Sequence, residues 1–300
     1  METQNPGKNL NLKSVAAAIS GFFFLALVAV LIKLEENGSA SLPWIIFIQF
    51  FTCLIIMTAI ASKNKFRDLK TDNIRYHIIR AVTGLGAFTC LVFAISKIPL
   101  VNASLLNNST PVFIPLISLM WLKTKIDKKI WWGITTGFIG IILILKPRTG
   151  SLLQTGDLFG LISGIILAIS YVSLKILTRT ESFFTILFYY SFIAALLSFP
   201  FALANWSDPP LIIWIYGILS GVCFLLYLYL LQYAYRFAEA AKLAPFNYSV
   251  VVFTGIFDWV LFEHVPGLLS VAGIILVTLG GILAITLHEK DNKHLKHNWH

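Results

Sequence analysis

Ala94-Ile-Ser-Lys…Asn107-Asn-Ser109…Val112-Phe113 and Ala234-Tyr-Arg-Phe…Asn247-Tyr-Ser249…Val252-Phe253 are one pattern written twice, 140 residues apart. The register continues without a gap to Gly133/Gly273 and Gly140/Gly280. Outward from these stretches the chain holds ten long apolar runs, at 14–34, 41–62, 75–96, 101–122, 130–146, 155–178, 182–204, 210–233, 239–262 and 267–287. About 20 apolar residues cross a bilayer core as a helix, so each run is predicted to be a transmembrane helix. The fold expected is all-α: a polytopic membrane protein of ten transmembrane helices in two five-helix repeats, 14–146 and 155–287, followed by a tail at 288–300. Five is odd, so the second repeat enters the membrane from the opposite side. Inverted halves of this kind are the sequence trace of a carrier that opens to one side and then the other around a central site.

Composition agrees. Charged residues make up 12% of the chain and hydrophobic ones 57%, against roughly 25% charged in a soluble domain. Barrel strands are excluded because runs such as Val15–Ile32 show none of the alternation of apolar and polar residues that a membrane strand requires. A helix satisfies its backbone groups within one apolar segment. The first run is too long for the apolar core of a signal peptide and ends in charge at Lys33-Leu34-Glu35-Glu36.

The net charge of +9 is unevenly placed. With the N-terminus in the cytoplasm, all of the 23 basic residues except Lys33, Lys97, Lys146 and Arg148 fall on the inner side. The positive-inside rule therefore predicts cytoplasmic termini in a cytoplasmic (inner) membrane. Nucleic acid is not an expected partner, since no contiguous basic surface interleaved with aromatics is present. Cys53, Cys90 and Cys223 each lie within an apolar run and read as small fillers.

Enzymatic chemistry has no motif here. The chain lacks a GxxxxGK phosphate loop, HExxH, CxxC and a nucleophile elbow. Four of its six histidines lie in the tail, at 288, 294, 297 and 300, and read as part of a solvated end. No cofactor or metal is expected.

Polar residues within spans are costly and therefore informative. In the ninth span, Asn247, Thr254 and Asp258 are spaced i, i+7, i+11, which places them on one helix face. The fourth span carries Asn107, Asn108, Ser109 and Thr110, with Ser118 at the position matching Asp258. It also carries Pro111 and Pro115, each of which removes a backbone donor and frees a carbonyl one turn earlier. Interrupted helices at matching places in two repeats point to the binding site, with hydrogen bonding between packed helices as the alternative reading of these Asn and Ser residues. The eighth span adds Tyr229, Gln232, Tyr233 and Arg236 at i, i+3, i+4, i+7, with an aromatic interface belt as the alternative reading. The substrate-binding residues expected are Asn107, Asn108, Tyr229, Gln232, Asn247, Tyr248 and Thr254, with Asp258 expected to couple transport to protons. Lys33 and Arg80 lie near span ends, where long side chains snorkel to water, with facing the cavity as the alternative reading. Gly160/Gly164 and Gly217/Gly221 mark close helix approaches. The fifth and tenth spans, nearly free of polar groups, are expected at the periphery, packing the bundle or the second copy of a homodimer.

The run Ala234-Tyr-Arg236-Phe-Ala-Glu239-Ala-Ala-Lys242-Leu-Ala-Pro245-Phe-Asn247-Tyr248, continuing through Trp259 and Phe262-Glu263 to Gly273 and Gly280-Gly281, resembles the drug/metabolite transporter superfamily and, within it, EamA-type ten-helix carriers. Ala94…Val101-Asn-Ala-Ser104…Pro111-Val-Phe113 and Gly133…Gly140 match the same pattern in the first half less closely. The resemblance implies EamA-like repeats at 14–146 and 155–287 and a cavity lined mainly by spans 1, 3, 4, 6, 8 and 9. It also implies secondary transport of a small polar metabolite, an amino acid or a nucleotide-like solute. The Glu239-to-Tyr248 run is similar to carriers that include S-adenosylmethionine uptake transporters. An exporter of amino acids or drugs from the same superfamily is one alternative, and a scaffold subunit that moves nothing is another. One departure is Lys123, where the family pattern carries an acid like Glu263.

Overall fold

In the computed structural model, residues 12–63, 69–122, 154–178, 180–237 and 249–264 are described, along with isolated positions between 132 and 140 and between 246 and 279. They form nine helices: α1 (Leu12–Asn37), α2 (Leu42–Lys63), α3 (Ile74–Lys97), α4 (Leu100–Asn107), α5 (Thr110–Leu122), α6 (Thr155–Leu177), α7 (Phe183–Ala204), α8 (Leu211–Phe237) and α9 (Ser249–Phe262). Among the described residues seven segments are long and apolar enough to cross a membrane, α4 and α5 counting as one, and α9 is a shorter apolar helix. The protein is an all-helical, multi-pass membrane protein. The expected fifth and tenth spans, the tail, Asn247 and Tyr248 lie largely or wholly outside the described residues.

Local chemistry sets the helix ends. α1 stops where Ser39 takes a left-handed conformation (φ 69°). Its reversal is closed by bonds from the Ala40 amide to the Glu35 carbonyl (3.1 Å) and from the Ser39 amide to the Glu36 carbonyl (3.1 Å), a Schellman turn. Pro99 separates α3 from α4 because it cannot continue a helix, while its fixed φ suits the start of the next one. Ser182 caps α7 by accepting from the Thr185 amide (3.1 Å).

Contacts between helix ends define the two ends of the bundle. At the first, the Ser41 hydroxyl donates to the Asn205 carbonyl (2.6 Å), Lys33 Nζ donates to the Ile95 carbonyl (3.1 Å), and Gly38 and Gly156 press on Ile213 and Lys97. At the opposite end, the Tyr189 hydroxyl donates to the Leu69 carbonyl (3.0 Å) and Thr71 to Glu181 (2.7 Å). The C-terminal ends of α1 and α3 thus share the first end with the N-terminal ends of α2, α6 and α8.

The most extensive packing pairs are α3 with α6, α1 with α8, and α2 with α7, followed by α1 with α9, α4 and α5 with α6, α2 with α8, α3 with α7, and α4 with α9. Where both partners are described, shifting by 140 residues turns α3–α6 into α1–α8, α1–α9 into α5–α6 and α2–α8 into α3–α7, and returns α2–α7 to itself. Two clusters result, α1–α8–α9 and α6–α3–α4–α5, held together through α2 and α7 and by the direct packing of α4 on α9. Between them runs a web of rings in which Phe50 meets Phe88, Tyr190 and Phe224 at centroid distances of 5.2, 5.4 and 6.0 Å. The small residues expected at close approaches are there: Gly160 and Gly164 lie against α4, and Gly217 and Gly221 against α2.

Candidate functional site

The fourth apolar run is not one helix. It breaks at Asn108-Ser109, between α4 and α5. Pro111 has no amide to offer the Asn107 carbonyl, and the Thr110 hydroxyl donates to that carbonyl instead (2.6 Å). Thr110 Oγ1 also lies 3.1 Å from the Gly164 carbonyl, and Asn107 Nδ2 donates to Ser163 Oγ (3.0 Å). The Asn108 side chain turns back to the Ser104 carbonyl (2.7 Å). α6 comes this close only because Gly164 lacks a side chain: a Cβ there would sit 2.7 Å from the Leu106 carbonyl oxygen and 2.8 Å from Ser109 Oγ. The repeat register is visible in local bonding. Ser109 Oγ donates to the Leu106 carbonyl (2.6 Å), and its counterpart Ser249 donates to the Phe246 carbonyl (2.7 Å).

Asp258 is 1% exposed near the end of α9. One carboxylate oxygen accepts from the Val101 amide (3.1 Å), at the N-terminus of α4, where an acid satisfies an orphan donor and favours the helix dipole. The other lies 3.3 Å from His264 Nδ1. Both residues, with Lys33, Ser96 and Lys97, line a cavity of about 140 Å³ at the first end. Thr254 is buried, and its hydroxyl returns to the Val250 and Val251 carbonyls (2.9 and 3.1 Å) of its own helix. Tyr229 is 61% exposed. Gln232 lies on α8, but its side chain, like Asn247 and Tyr248, is outside the described residues.

Arg80 does not snorkel. It is 6% exposed, in the second turn of α3. Its Nη1 donates to Ser170 Oγ on α6, the same hydroxyl donates to the Arg80 carbonyl (2.9 Å), and the guanidinium lies 4.4 Å over the ring of Tyr190 on α7. Gly84 makes the room, since a Cβ there would approach Arg80 Nη1 to 2.6 Å and Tyr190 Cε2 to 2.7 Å. One turn earlier His77 is buried against Tyr189, ring centroids 4.7 Å apart. Neither His77 nitrogen nor Arg80 Nε has a hydrogen-bond partner among the described residues.

The sequence pattern of EamA-like transporters matches residues 12–146 and again residues 154–286. The chain belongs to the EamA-like transporter family. Among curated relatives, the pseudopaline exporter CntI of Pseudomonas aeruginosa is 27% identical over 271 residues, covering 89% of this chain and 93% of that protein. The S-adenosylmethionine uptake transporter of Rickettsia bellii is 25% identical over 279 residues, covering 90% and 94%. A solved crystal structure superposes with a TM-score of 0.61 at 16% identity, covering 92% of this chain and 98% of that one, which speaks to the fold alone.

Within this EamA-like chain, two buried charged groups sit deeper than the first reading of their sequence context suggests. Glu35 reads as a charge marking the end of a span, yet it is wholly buried, and neither carboxylate oxygen has a partner among the described residues. Arg80 reads as an interface residue. The available signal was its setting: it is followed at i+4 by Gly84 and then by an uncharged run to Lys97. Among the described residues no group of three or more His, Cys, Asp or Glu could hold a metal ion.

Proposed function

We propose that the protein is a secondary transporter that moves a small polar metabolite, an amino acid or a nucleotide-like solute such as S-adenosylmethionine, across the cytoplasmic membrane by alternating access. The observation that carries this reading is the break at Asn107–Thr110: a discontinuous helix whose polar groups face the bundle interior, in a fold whose main described packing pairs, α3–α6 and α1–α8, exchange with each other under the 140-residue shift. Broken helices near the repeat interface are where transporters of this kind place their cargo. Membership of a transporter family supports it, and relatives that include an uptake carrier and an exporter fit exchange in either direction.

The same reading takes residues 14–146 and 155–287 as two inverted five-helix repeats, with both termini and the 288–300 tail in the cytoplasm. The asymmetry of basic residues supports that orientation, and it makes the first end, with Lys33 and Asp258, the outer one. Asn107, Asn108, Gln232, Asn247, Tyr248 and Thr254 are assigned to the cargo pathway, with Tyr229 at its margin. Asp258 is assigned to coupling because it joins α9 to α4 across the two clusters, and altering its bonds alters how the clusters meet.

The test is transport by reconstituted protein. A thermal-shift screen first identifies a bound metabolite, because a ligand that binds only the folded state raises the melting temperature. Proteoliposomes then measure its exchange when labelled. Asn107→Ala is expected to slow exchange without loss of folded protein, and Asp258→Asn to abolish its dependence on a proton gradient. Exchange no faster than in empty vesicles would refute the transport reading. Normal exchange and coupling in both variants would refute only the site.

A further inference from the structure

We infer that Arg80 is the anchor for a carboxylate on the transported molecule, so that the cargo belongs to the amino-acid-like acids and not to the amines or neutral solutes. The inference rests on the reading of the protein as a transporter and narrows its substrate class.

The argument starts from charge. A guanidinium stays protonated in proteins, and taking one out of water costs several kcal/mol unless it is paired. Arg80 is buried, and no carboxylate among the described residues forms an ion pair with it. Glu181, on the neighbouring α6–α7 connection, is engaged by Thr71 and Asn73 (2.7 and 3.3 Å). The groups that hold Arg80 are neutral, the Ser170 hydroxyl and the Tyr190 ring. A ring below the cation is worth up to about 2 kcal/mol when desolvated, which lessens the cost without removing it. What Arg80 itself lacks among the described residues is a bonded negative charge.

Geometry then selects the ligand. Ser170 and Tyr190 fix the plane of the guanidinium and occupy Nη1, while Nε has no acceptor among the described residues. The buried ring of His77, three residues earlier on the same face of α3, has both nitrogens without partners there. Two cationic or donor-capable groups with unused valences, one turn apart on one helix face, suit a planar anion with two oxygens. Arg binds carboxylates as a two-pronged fork. One guanidinium balances one negative charge, which fits a carboxylate better than a phosphate dianion.

The experiment pairs acids with their decarboxylated amines. Full-length protein in detergent is titrated with S-adenosylmethionine, L-methionine and L-phenylalanine, with the amine made by decarboxylating each, and with inorganic phosphate. Binding is read as the shift in melting temperature. At least one acid should stabilise the wild type, and its amine should not. Arg80→Gln should weaken that acid at least about thirtyfold, the scale for truncating one partner of a buried charged pair. Arg80→Lys should bind it with intermediate affinity. If Arg80→Gln does not fold, the acid–amine comparison on the wild type still decides the matter. Equal binding of acid and amine, binding of phosphate alone, no binding of any acid, or undiminished acid binding by folded Arg80→Gln would each overturn the inference. Proteoliposomes report separately: an acid that binds through Arg80 but is not carried leaves the anchor standing and removes the transport reading.

Discussion

At the scale of single residues, the space around Arg80 is tightly filled. Gly84 and Gly86 lie on the same helix, yet they make opposite demands. A Cβ at position 84 would strike Arg80 Nη1 and Tyr190 Cε2 at 2.6 and 2.7 Å, whereas at position 86 it would meet only Ile166 Cγ2 at 3.8 Å. Gly84→Ala is therefore expected to destabilise the protein by about 1–3 kcal/mol, the usual cost of overpacking. Gly86→Ala should be neutral or stabilise by up to about 1 kcal/mol, the gain in helix propensity. Thermal unfolding of the two variants in one detergent checks both signs, and equal melting temperatures would contradict this account of the pocket. The contrast also shows where reading the chain falls short. Arg80 near a span end suggests snorkelling because a one-dimensional sequence carries distance along the helix and not direction around it. What turns Arg80 inward is Ser170, 90 residues away, and Tyr190 beyond it. Glu35 is hidden for the same reason: its neighbours in sequence are charged, and only the packing of α1 buries it.

At the scale of elements, the break between α4 and α5 was largely legible. Pro111 and Pro115 announce it, and the amides and hydroxyls just before them supply the replacement bonds. The 140-residue register even anticipates that Ser109 and Ser249 stand at equivalent helix starts, each bonded to the carbonyl three residues back. What the chain does not announce is that the break is sealed by α6. The Thr110 hydroxyl serves the carbonyls of both Asn107 and Gly164. Thr110→Val keeps the shape and removes the hydroxyl. It should cost about 0.6–2 kcal/mol, from the typical worth of a polar contact between membrane helices to that of a stranded buried carbonyl. Thr110→Ser keeps the hydroxyl and should stay within about 0.5 kcal/mol of the wild type. Equilibrium unfolding in mixed micelles measures the difference, and a Val variant as stable as the Ser variant would show that the hydroxyl holds nothing. Asp258 is a similar case. Its presence inside an apolar run is plain from the sequence, but its partner, the Val101 amide at the start of α4, becomes visible only when α9 is packed beside α4.

At the scale of the whole molecule, the two exchange-related clusters are joined unequally at their ends. At the first end two polar contacts cross between them, from Lys33 Nζ to the Ile95 carbonyl (3.1 Å) and from the Val101 amide to Asp258 (3.1 Å). Both use helix ends: Lys33 is near the C-terminus of α1, and Asp258 near that of α9. Among the described residues, the polar bonds at the opposite end run instead between the segment before α3 and the α6–α7 connection with the start of α7, so they do not cross from one cluster to the other. A molecule that alternates between two openings must break the first pair of contacts to open that end. Weakening them should therefore shift the population toward the state with the first end open, by about a factor of five for each kcal/mol removed. Lys33→Met keeps the apolar stem and loses the donor. Ser96 lines the cavity at that end, so Ser96→Cys, in a background with Cys53, Cys90 and Cys223 replaced, reports how often it opens. A membrane-impermeant maleimide added from outside is expected to label Ser96→Cys several-fold faster when Lys33→Met is also present. Unchanged rates would mean that Lys33 does not hold the end closed. Labelling from inside alone would reverse the orientation inferred from the basic residues, because the first end would then face the cytoplasm.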